Sequence, residues 1–313
     1  MSKYKKLNFD KVKTYSLKDR RSKVALKDFA KIVEKNASLN DFFKSLPKIL
    51  TGESFVDFIN RYQNAIDTQS TILLMMGAHV IKVGLSPLLI DAMKNGWITH
   101  LAINGACVIH DVEIAMWGFT SEDVAEGIQD GTFGMAREST EFINKAVKSG
   151  KGSLGYGESV AKALKEKGGP HLGYSILYNA YQLDIPLTVH SALGTEIIHQ
   201  HPSVDGAAIG DTTWTDFQIF TKNVSTLDKN SIVLNIGSAV IMPEVFLKAL
   251  TVSRNLGYPN FGFCTATFDM IRHYRPTVNV VERPTQKHGK GYYFIGHHEI
   301  MLPLLFAILK SIR

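Results

Sequence analysis

The chain has 313 residues, 45% hydrophobic and 20% charged, an ordinary globular composition long enough for one large or two modest domains. Its only cysteines, Cys107 and Cys264, lie far apart with no CxxC spacing, which excludes a zinc ribbon or a secreted disulfide scaffold and points to a reducing cytoplasm. The net charge of +6 would suit a nucleic-acid partner only if the charge were spread over one face.

It is not spread that way. Nine basic side chains (Lys3, Lys5, Lys6, Lys11, Lys13, Lys18, Arg20, Arg21, Lys23) and two acids give residues 1–23 a charge of +7, leaving −1 for everything after them. A near-neutral body with a basic arm argues against a nucleic-acid partner, although the arm could reach a neighbouring subunit. No apolar run approaches the roughly 18 residues of a membrane span. The Lys-rich start is not followed by an apolar leader, so neither a signal peptide nor a membrane partner is expected.

Apolar residues at helical spacing predict helices over Val24–Leu50 and Phe55–Thr68, separated by the breaker pair Thr51-Gly52. Thr71–Met76 is a short continuous apolar run of the kind that forms a strand buried on both faces. Ser86 and Pro87 open a helix over Leu88–Asn95, Gly96 closes it, and Thr99–Ile103 reads as the next strand. Ser121–Val124 and Arg137–Ser149 read as helices, and the glycines at 150, 152, 155 and 157 as a loop. A helix over His171–Leu183, strands over Pro186–His190 and Ser231–Ile236, and a helix over Pro243–Asn255 follow. Phe261–Thr267, Val278–Val281 and Tyr292–Ile295 are further strand candidates, and Ile300–Ile312 is an apolar final helix. Strands alternating with helices predict an α/β fold with a doubly wound, mostly parallel, Rossmann-like sheet. The organisation expected is a basic arm (1–23), a helical extension (24–70) and one α/β domain (71–313).

Ligands of such sheets bind beyond the strand C-termini. The residues there are Gly77-Ala-His79, Asn104-Gly105-Ala106 with His110-Asp111, His190 to Glu196, Gly237-Ser238, and Thr265-Ala266 with Phe268-Asp269. Small residues at these turns let backbone amides approach a phosphate or a ring, and a nucleotide cleft is one reading; ordinary α/β turn chemistry is the other. The GxGxxG fingerprint is absent after the first strand, so a nucleotide would bind outside the usual Rossmann scheme.

The segment His190–Asp211 is the richest in polar chemistry, with His190, Glu196, His199, His201, Asp205 and Asp211. Glu196 and His199 at i, i+3 would share a helix face, which suits a histidine acid or base oriented by a carboxylate. The same spacing occurs in carboxylate-bridged metal sites, but the second matching motif those sites need is missing and no metal is expected. His297-His298-Glu299 reads as a helix cap, and Trp97, Trp117 and Trp214 as core or as cover for a cationic substrate.

From Thr71 onward the order of local matches resembles the deoxyhypusine synthase family. The matching residues are Val80-Ile81 with Gly84, Ala106–Asp111, Ile185-Pro186 with Ala192-Leu193, Thr265-Ala266, Phe268-Asp269, Arg275-Pro276 and Pro303-Leu-Leu305. The resemblance implies an NAD-dependent transferase that moves an aminobutyl unit from a polyamine such as spermidine by amine oxidation and imine capture. It also implies a homotetramer with sites between subunits. Under it, NAD would be held by His79, Asn104, Gly105, Thr195, Glu196, Gly237, Ser238, Thr265, Ala266 and Asp269, with His110, Glu196 and His199 as acid or base groups.

The family's catalytic lysine falls on Pro284, which cannot form an imine through a side-chain amine, and only a shifted alignment brings in Lys287. The family's Gly-Gly-Gly-x-x-Lys-His-His turn is replaced by Gly237–Glu244, and His110 stands where the family has a glutamate. Two alternatives therefore accompany the transferase reading. One is hydrolase or lyase chemistry at His190–Asp211, and the other is a non-catalytic nucleotide- or metabolite-binding protein.

Overall fold

The computed structural model describes residues 2–312. Met1 and Arg313, the outer limits of the expected arm and α/β domain, lie outside the described residues. Six strands form one all-parallel sheet in the order β3-β2-β1-β4-β5-β6. They are β1 (Ile72–Met76), β2 (His100–Asn104), β3 (Leu187–His190), β4 (Ile232–Ile236), β5 (Cys264–Asp269) and β6 (Lys290–Ile295). The registers pair Leu74 with Leu101 and with Leu234, so β1 sits at the centre. Every residue of β1 and β4 is buried, because helices cover both faces of the sheet and an alternating pattern would leave polar side chains in the core. The expected doubly wound α/β fold is thus the one observed.

One face carries α1 (Leu39–Ser45), α2 (Leu50–Asp67), the short α3 (His79–Lys82), α4 (Ser86–Lys94), α5 (Gly105–Trp117) and the C-terminal helix. After α5 the chain forms α6 (Val124–Asp130), α7 (Arg137–Gly150), α8 (Tyr156–Lys167) and α9 (Ile176–Gln182) before entering β3. The opposite face is packed by α10 (Gly206–Val224) and α11 (Ile241–Asn255), with Phe220, Phe246 and Phe263 against Leu73, Met75 and Val233. A single turn α12 (Tyr274–Pro276) leads into a π-helical turn at Thr277–Glu282, and α13 (His298–Ser311) closes the chain. The crossovers change face between β1 and β4.

The N-terminal expectation is corrected in part. Residues 24–38 hold only a three-residue 3-10 turn at Leu26–Asp28, and α1 is short. Pro47 is the true break: the residue before it, Leu46, is extended (ψ 145°), as proline sterics demand. Gly52 lies inside α2, where a Cβ would stand 2.5 Å from the Pro47 carbonyl oxygen. The second helix is longer than expected, and its buried stripe of Phe55, Phe58, Ile59, Tyr62 and Ile66 belongs to the same core as the sheet. Phe58 meets the rings of Tyr62, Phe268, Tyr292 and Phe294 at centroid distances of 5.5 to 5.8 Å.

Further corrections share a cause. Val278–Val281 is not a strand but the π-helical turn, since a four-residue apolar run carries no period of its own. Ser121–Glu122 is not helical; Asp123 caps α6 by accepting from the amides of Ala125 and Glu126. Three helices fall outside those expected. Helix α5 starts directly at the end of β2, α8 opens within the glycine-rich loop, and α10 carries its buried stripe partly on Thr212 and Asp216. Asp216 accepts from the amides of Gly157 (2.9 Å) and Val189 (2.7 Å), tying α10 to α8 and β3.

Phe58→Ala should cost about 3–5 kcal/mol in chemical denaturation, as expected for an aromatic ring removed from a packed core. Burial also pushes the Asp216 carboxyl from 3.8 up to about 7 against its amide donors. A raised acid favours the folded state while protonated, so its stabilisation is complete below about 4 and is lost as pH rises to about 7. His100 and His190, pushed down to about 3 by burial, act in the opposite sense below 6.5. The effect is therefore read as a difference: the melting temperature of Asp216→Asn should fall less than that of the wild type between pH 4.5 and 7.5. Parallel curves would remove this role.

Candidate functional site

Helix α5 positions the site. Asn104, the last residue of β2, is also its N-cap, and its Oδ1 accepts from the Cys107 amide (3.3 Å) and thiol (3.0 Å). With no loop between strand and helix, Ala106, Ile109, His110, Glu113 and Trp117 form one helical face. That face lines a cavity of about 570 Å³ beyond the C-terminal ends of β2 and β3. Phe119, Val124, Phe133 and Ile197 supply apolar walls, while Lys82 and the carboxylates of Glu122 and Glu138 border it.

Gly105 begins the helix beneath the carboxylate of Glu196. A Cβ there would fall 1.9 to 2.3 Å from the three carboxylate atoms, so only glycine admits this contact. Glu196 is buried and takes a 3.0 Å hydrogen bond from the Ser191 hydroxyl. Burial raises its carboxyl to about 7, outweighing Ser191 and the nearby amides of Ala192 and Gly105, which favour the charged form. His199 stands 3.4 Å from Glu196. Its Nδ1 accepts from the Gly194 amide at 3.1 Å, which leaves Nε2 to carry the proton toward the carboxylate.

His110 faces the same cavity. Its Nδ1 lies 2.6 Å from the Thr120 hydroxyl, which donates at 2.5 Å to Glu113. Ser139 donates to the other Glu113 oxygen at 3.3 Å. Burial, with a smaller contribution from Lys82, pushes the imidazole down to about 4. Its sequence neighbour Asp111 points instead into the core, accepting from Ser175 and from the Ile176 and Leu177 amides at the start of α9.

The structure thus brings together His110, Thr195, Glu196 and His199 with Asn104 and Gly105. The remaining expected residues go elsewhere. His201 pairs with Ser203, Asp205 caps α10, and Asp211 accepts from the Gly152 amide, so His190–Asp211 is not one cluster. Among the described residues no group of three His, Cys, Asp or Glu side chains is arranged to hold a metal. Thr265 and Ala266 are fully buried in the body of β5, several residues before its end, and cannot line a cleft at the strand C-termini. Lys287 precedes β6, at the opposite end of the sheet, with its ammonium 4.4 Å above the Phe261 ring. A six-residue strand at about 3.3 Å per residue separates it from the strand C-termini, which removes it as the displaced nucleophile.

His79, Gly237, Ser238 and Asp269 lie at the crevice where the crossovers change face, together with His298 from α13. A dinucleotide there needs open space over the glycines. A Cβ on Gly77 would stand 2.2 Å from the Gly237 carbonyl oxygen, and one on Gly237 (φ +62°) would stand 2.7 Å from the His298 ring. His298 is buried, lies 5.4 Å from the ring of His79 at a tilt of 59° and leaves its Nδ1 without a hydrogen bond. As packed, each of these two glycines is closed on the side where a Cβ would project. Ser238 turns inward to accept from the Met242 amide, and Asp269 accepts from the Met270 amide.

Glu113, Thr120, Ser139 and Lys82 were not singled out in the sequence. Once α5 is recognised, Glu113 follows from its i, i+3 spacing to His110. Thr120 is brought back by Gly118, which ends the helix in the left-handed conformation (φ 79°).

No protein-family model matches the chain, and no curated protein matches it. Among solved structures, the ternary complex of AgrE with ornithine and NAD+ aligns with a TM-score of 0.54 and 13% identity over 83% of this chain and 33% of that one. A LOR/SDH protein from Methanococcus maripaludis S2 aligns with a TM-score of 0.52 and 16% identity over 94% and 75%. A chain described as a deoxyhypusine synthase, from Entamoeba histolytica, reaches a TM-score of 0.49 and 10% identity over 87% and 93%. The chain spans about a third of the length of AgrE. At these identities the likeness is one of fold and does not place the chain in a family.

Gly105→Ala should cost about 1–3 kcal/mol by forcing the Glu196 carboxylate out of its seat. The cost should shrink to a few tenths when Glu196→Ala is also present. A double-mutant cycle by urea denaturation reads the coupling, and additive costs would show that the contact does not constrain the helix.

Proposed function

We propose that the protein is an enzyme that performs acid–base chemistry on a small amine in the α5 cavity. The observation that supports this most is a pair of titratable groups on one cavity whose environments push them in opposite directions. Glu196 keeps its proton up to about 7, and His110 stays neutral down to about 4. Between those limits the neutral His110 can accept a hydrogen bond from a substrate N–H, while the protonated Glu196 can supply a proton to a group that gains negative charge. His199 holds the carboxyl in place. An amine fits the lining: Glu113, Glu122 and Glu138 outnumber the single Lys82, and Trp117, Phe119 and Phe133 supply aromatic lining for a cation.

The NAD-dependent aminobutyl transferase stands as the second reading, favoured by the strand order and its change of face between β1 and β4. It loses Lys287 from the strand ends, where Lys82 at the end of α3 borders the cavity instead. Asp211, Glu244 and Asp269 do not join Glu196 in one cleft; Glu244 binds Lys248, Arg275 and Asn279. A polyamine would therefore be met by the carboxylates of the cavity. No described helix is long and apolar enough to cross a membrane. A cytoplasmic homo-oligomer, tetrameric by the resemblance, belongs to the same proposal. Both cysteines are free and buried, with the Cys264 thiol pushed up to about 12, which suits a reducing compartment and leaves neither as a nucleophile. The basic arm (1–23), the extension (24–70) and the α/β unit (71–313) are proposed as its functional divisions.

Thermal-shift titration with spermidine, putrescine and ornithine tests the leading reading. At least one should raise the melting temperature by several degrees, since a ligand at a hundred times its Kd contributes about 2.7 kcal/mol. Glu196→Gln should reduce that shift. No response to any amine would discard the substrate class. Millimolar NAD should shift His298→Ala more than the wild type if the crevice is the cofactor site, and a large wild-type shift would restore the transferase to first place.

A further inference from the structure

Resting on the reading of the α5 cavity as an acid–base site, we propose that Thr120 is a positioning residue that locks His110 in one tautomer, with a bare Nε2 for the ligand, so that the bound group must be a hydrogen-bond donor.

The argument is one of proton counting along a chain of contacts. A threonine hydroxyl has one hydrogen, and a carboxylate oxygen only accepts. At 2.5 Å from Glu113, the Thr120 hydrogen is spent on that carboxylate. The 2.6 Å contact between Thr120 Oγ1 and His110 Nδ1 is then a hydrogen bond only if Nδ1 carries the proton and donates. Glu113 is itself held by Ser139, so the direction of the chain is fixed from its far end: Ser139 and Thr120 donate to Glu113, and His110 donates to Thr120. The neutral ring has one N–H, so Nε2 is left as an acceptor, and no described protein group bonds to it. An ammonium, amine or hydroxyl hydrogen can meet that lone pair. A carboxylate or phosphate would place acceptor against acceptor. The constraint selects the ligand class by polarity, independently of the carboxylates that attract a cation.

Long-range proton–nitrogen NMR on histidine-15N-labelled full-length protein reads the tautomer directly. His110 is assigned among the eleven histidines by its loss in His110→Gln. The wild type and Thr120→Ser should show the Nδ1–H form at neutral pH, and Thr120→Val should lose it, with the fold of each variant checked by its amide spectrum. An amine that shifts the wild type should bind Thr120→Val about tenfold more weakly and Thr120→Ser within twofold. An Nε2–H wild type, or an Nδ1–H form that persists in Thr120→Val, overturns the proposal. Failure of every amine to bind, with the Nδ1–H form present, would sink the amine reading while leaving the tautomer lock intact.

Discussion

The seat of the Glu196 carboxylate over Gly105 is the contact on which the site depends. Two effects compete there. The N-terminus of α5 offers amide dipoles that favour a negative charge, worth about 0.3–1 kcal/mol and up to about 2 in partly buried settings. Burial opposes the charge, and a carboxyl held near 7 instead of 4.5 means that it wins by on the order of 3 kcal/mol. The helix end that a phosphate would occupy in a nucleotide-binding sheet is thus filled by the protein's own acid. That acid exchanges its proton near neutrality because burial outweighs the charge-favouring hydrogen bonds of Ser191 and the nearby amides.

The same displacement is seen at the centre of the sheet. The crevice between β1 and β4 is the expected ligand site from strand order, yet its two glycines are spent on close packing, Gly77 against the Gly237 carbonyl and Gly237 against His298. Open space lies instead one strand over, where β2 runs into α5 without a loop and the helix face is left uncovered between α3 and the 195–197 segment. Closing the centre and opening the side are one arrangement: the C-terminal helix that brings His298 over Gly237 also packs on the core face shared with α2 and α4.

How far the sequence was legible follows from which residues carry a signal. The strands were readable because burial on both faces makes them continuous apolar runs, as in Ile72–Met76. Helix α10 was not, because two of its inward positions are Thr212 and Asp216, which bond to an i−4 carbonyl and to amides of distant elements. Val278–Val281 misled because four apolar residues fit a strand and a helical turn equally well. At the site, His110, Glu196 and His199 stood out by residue type. Their partners did not, since Thr120 and Glu113 gain meaning only when Gly118 turns the chain back onto α5. Lys287 failed for a topological reason: a position relative to a motif does not say which end of a parallel sheet a residue occupies.

Open parallel sheets of this kind hold ligands outside the strand ends, and the cavity obeys that rule. It does not say what the ligand is, because chemistry resides in side chains that the fold leaves free to vary. Here those side chains specify polarity more sharply than shape. A neutral imidazole whose proton is directed away from the cavity and a border richer in carboxylates than in cations form a surface that accepts hydrogens and disfavours anions, to which the carboxyl that keeps its proton to about 7 adds one donor. Phosphate recognition would need the reverse: exposed helix-end amides and open glycines. Glycines stand at Gly105, which opens α5, and at Gly237, which follows β4, and the side chains of Glu196 and His298 lie against them. The contacts that close these two glycines are therefore where the proposed acid–base and dinucleotide readings part.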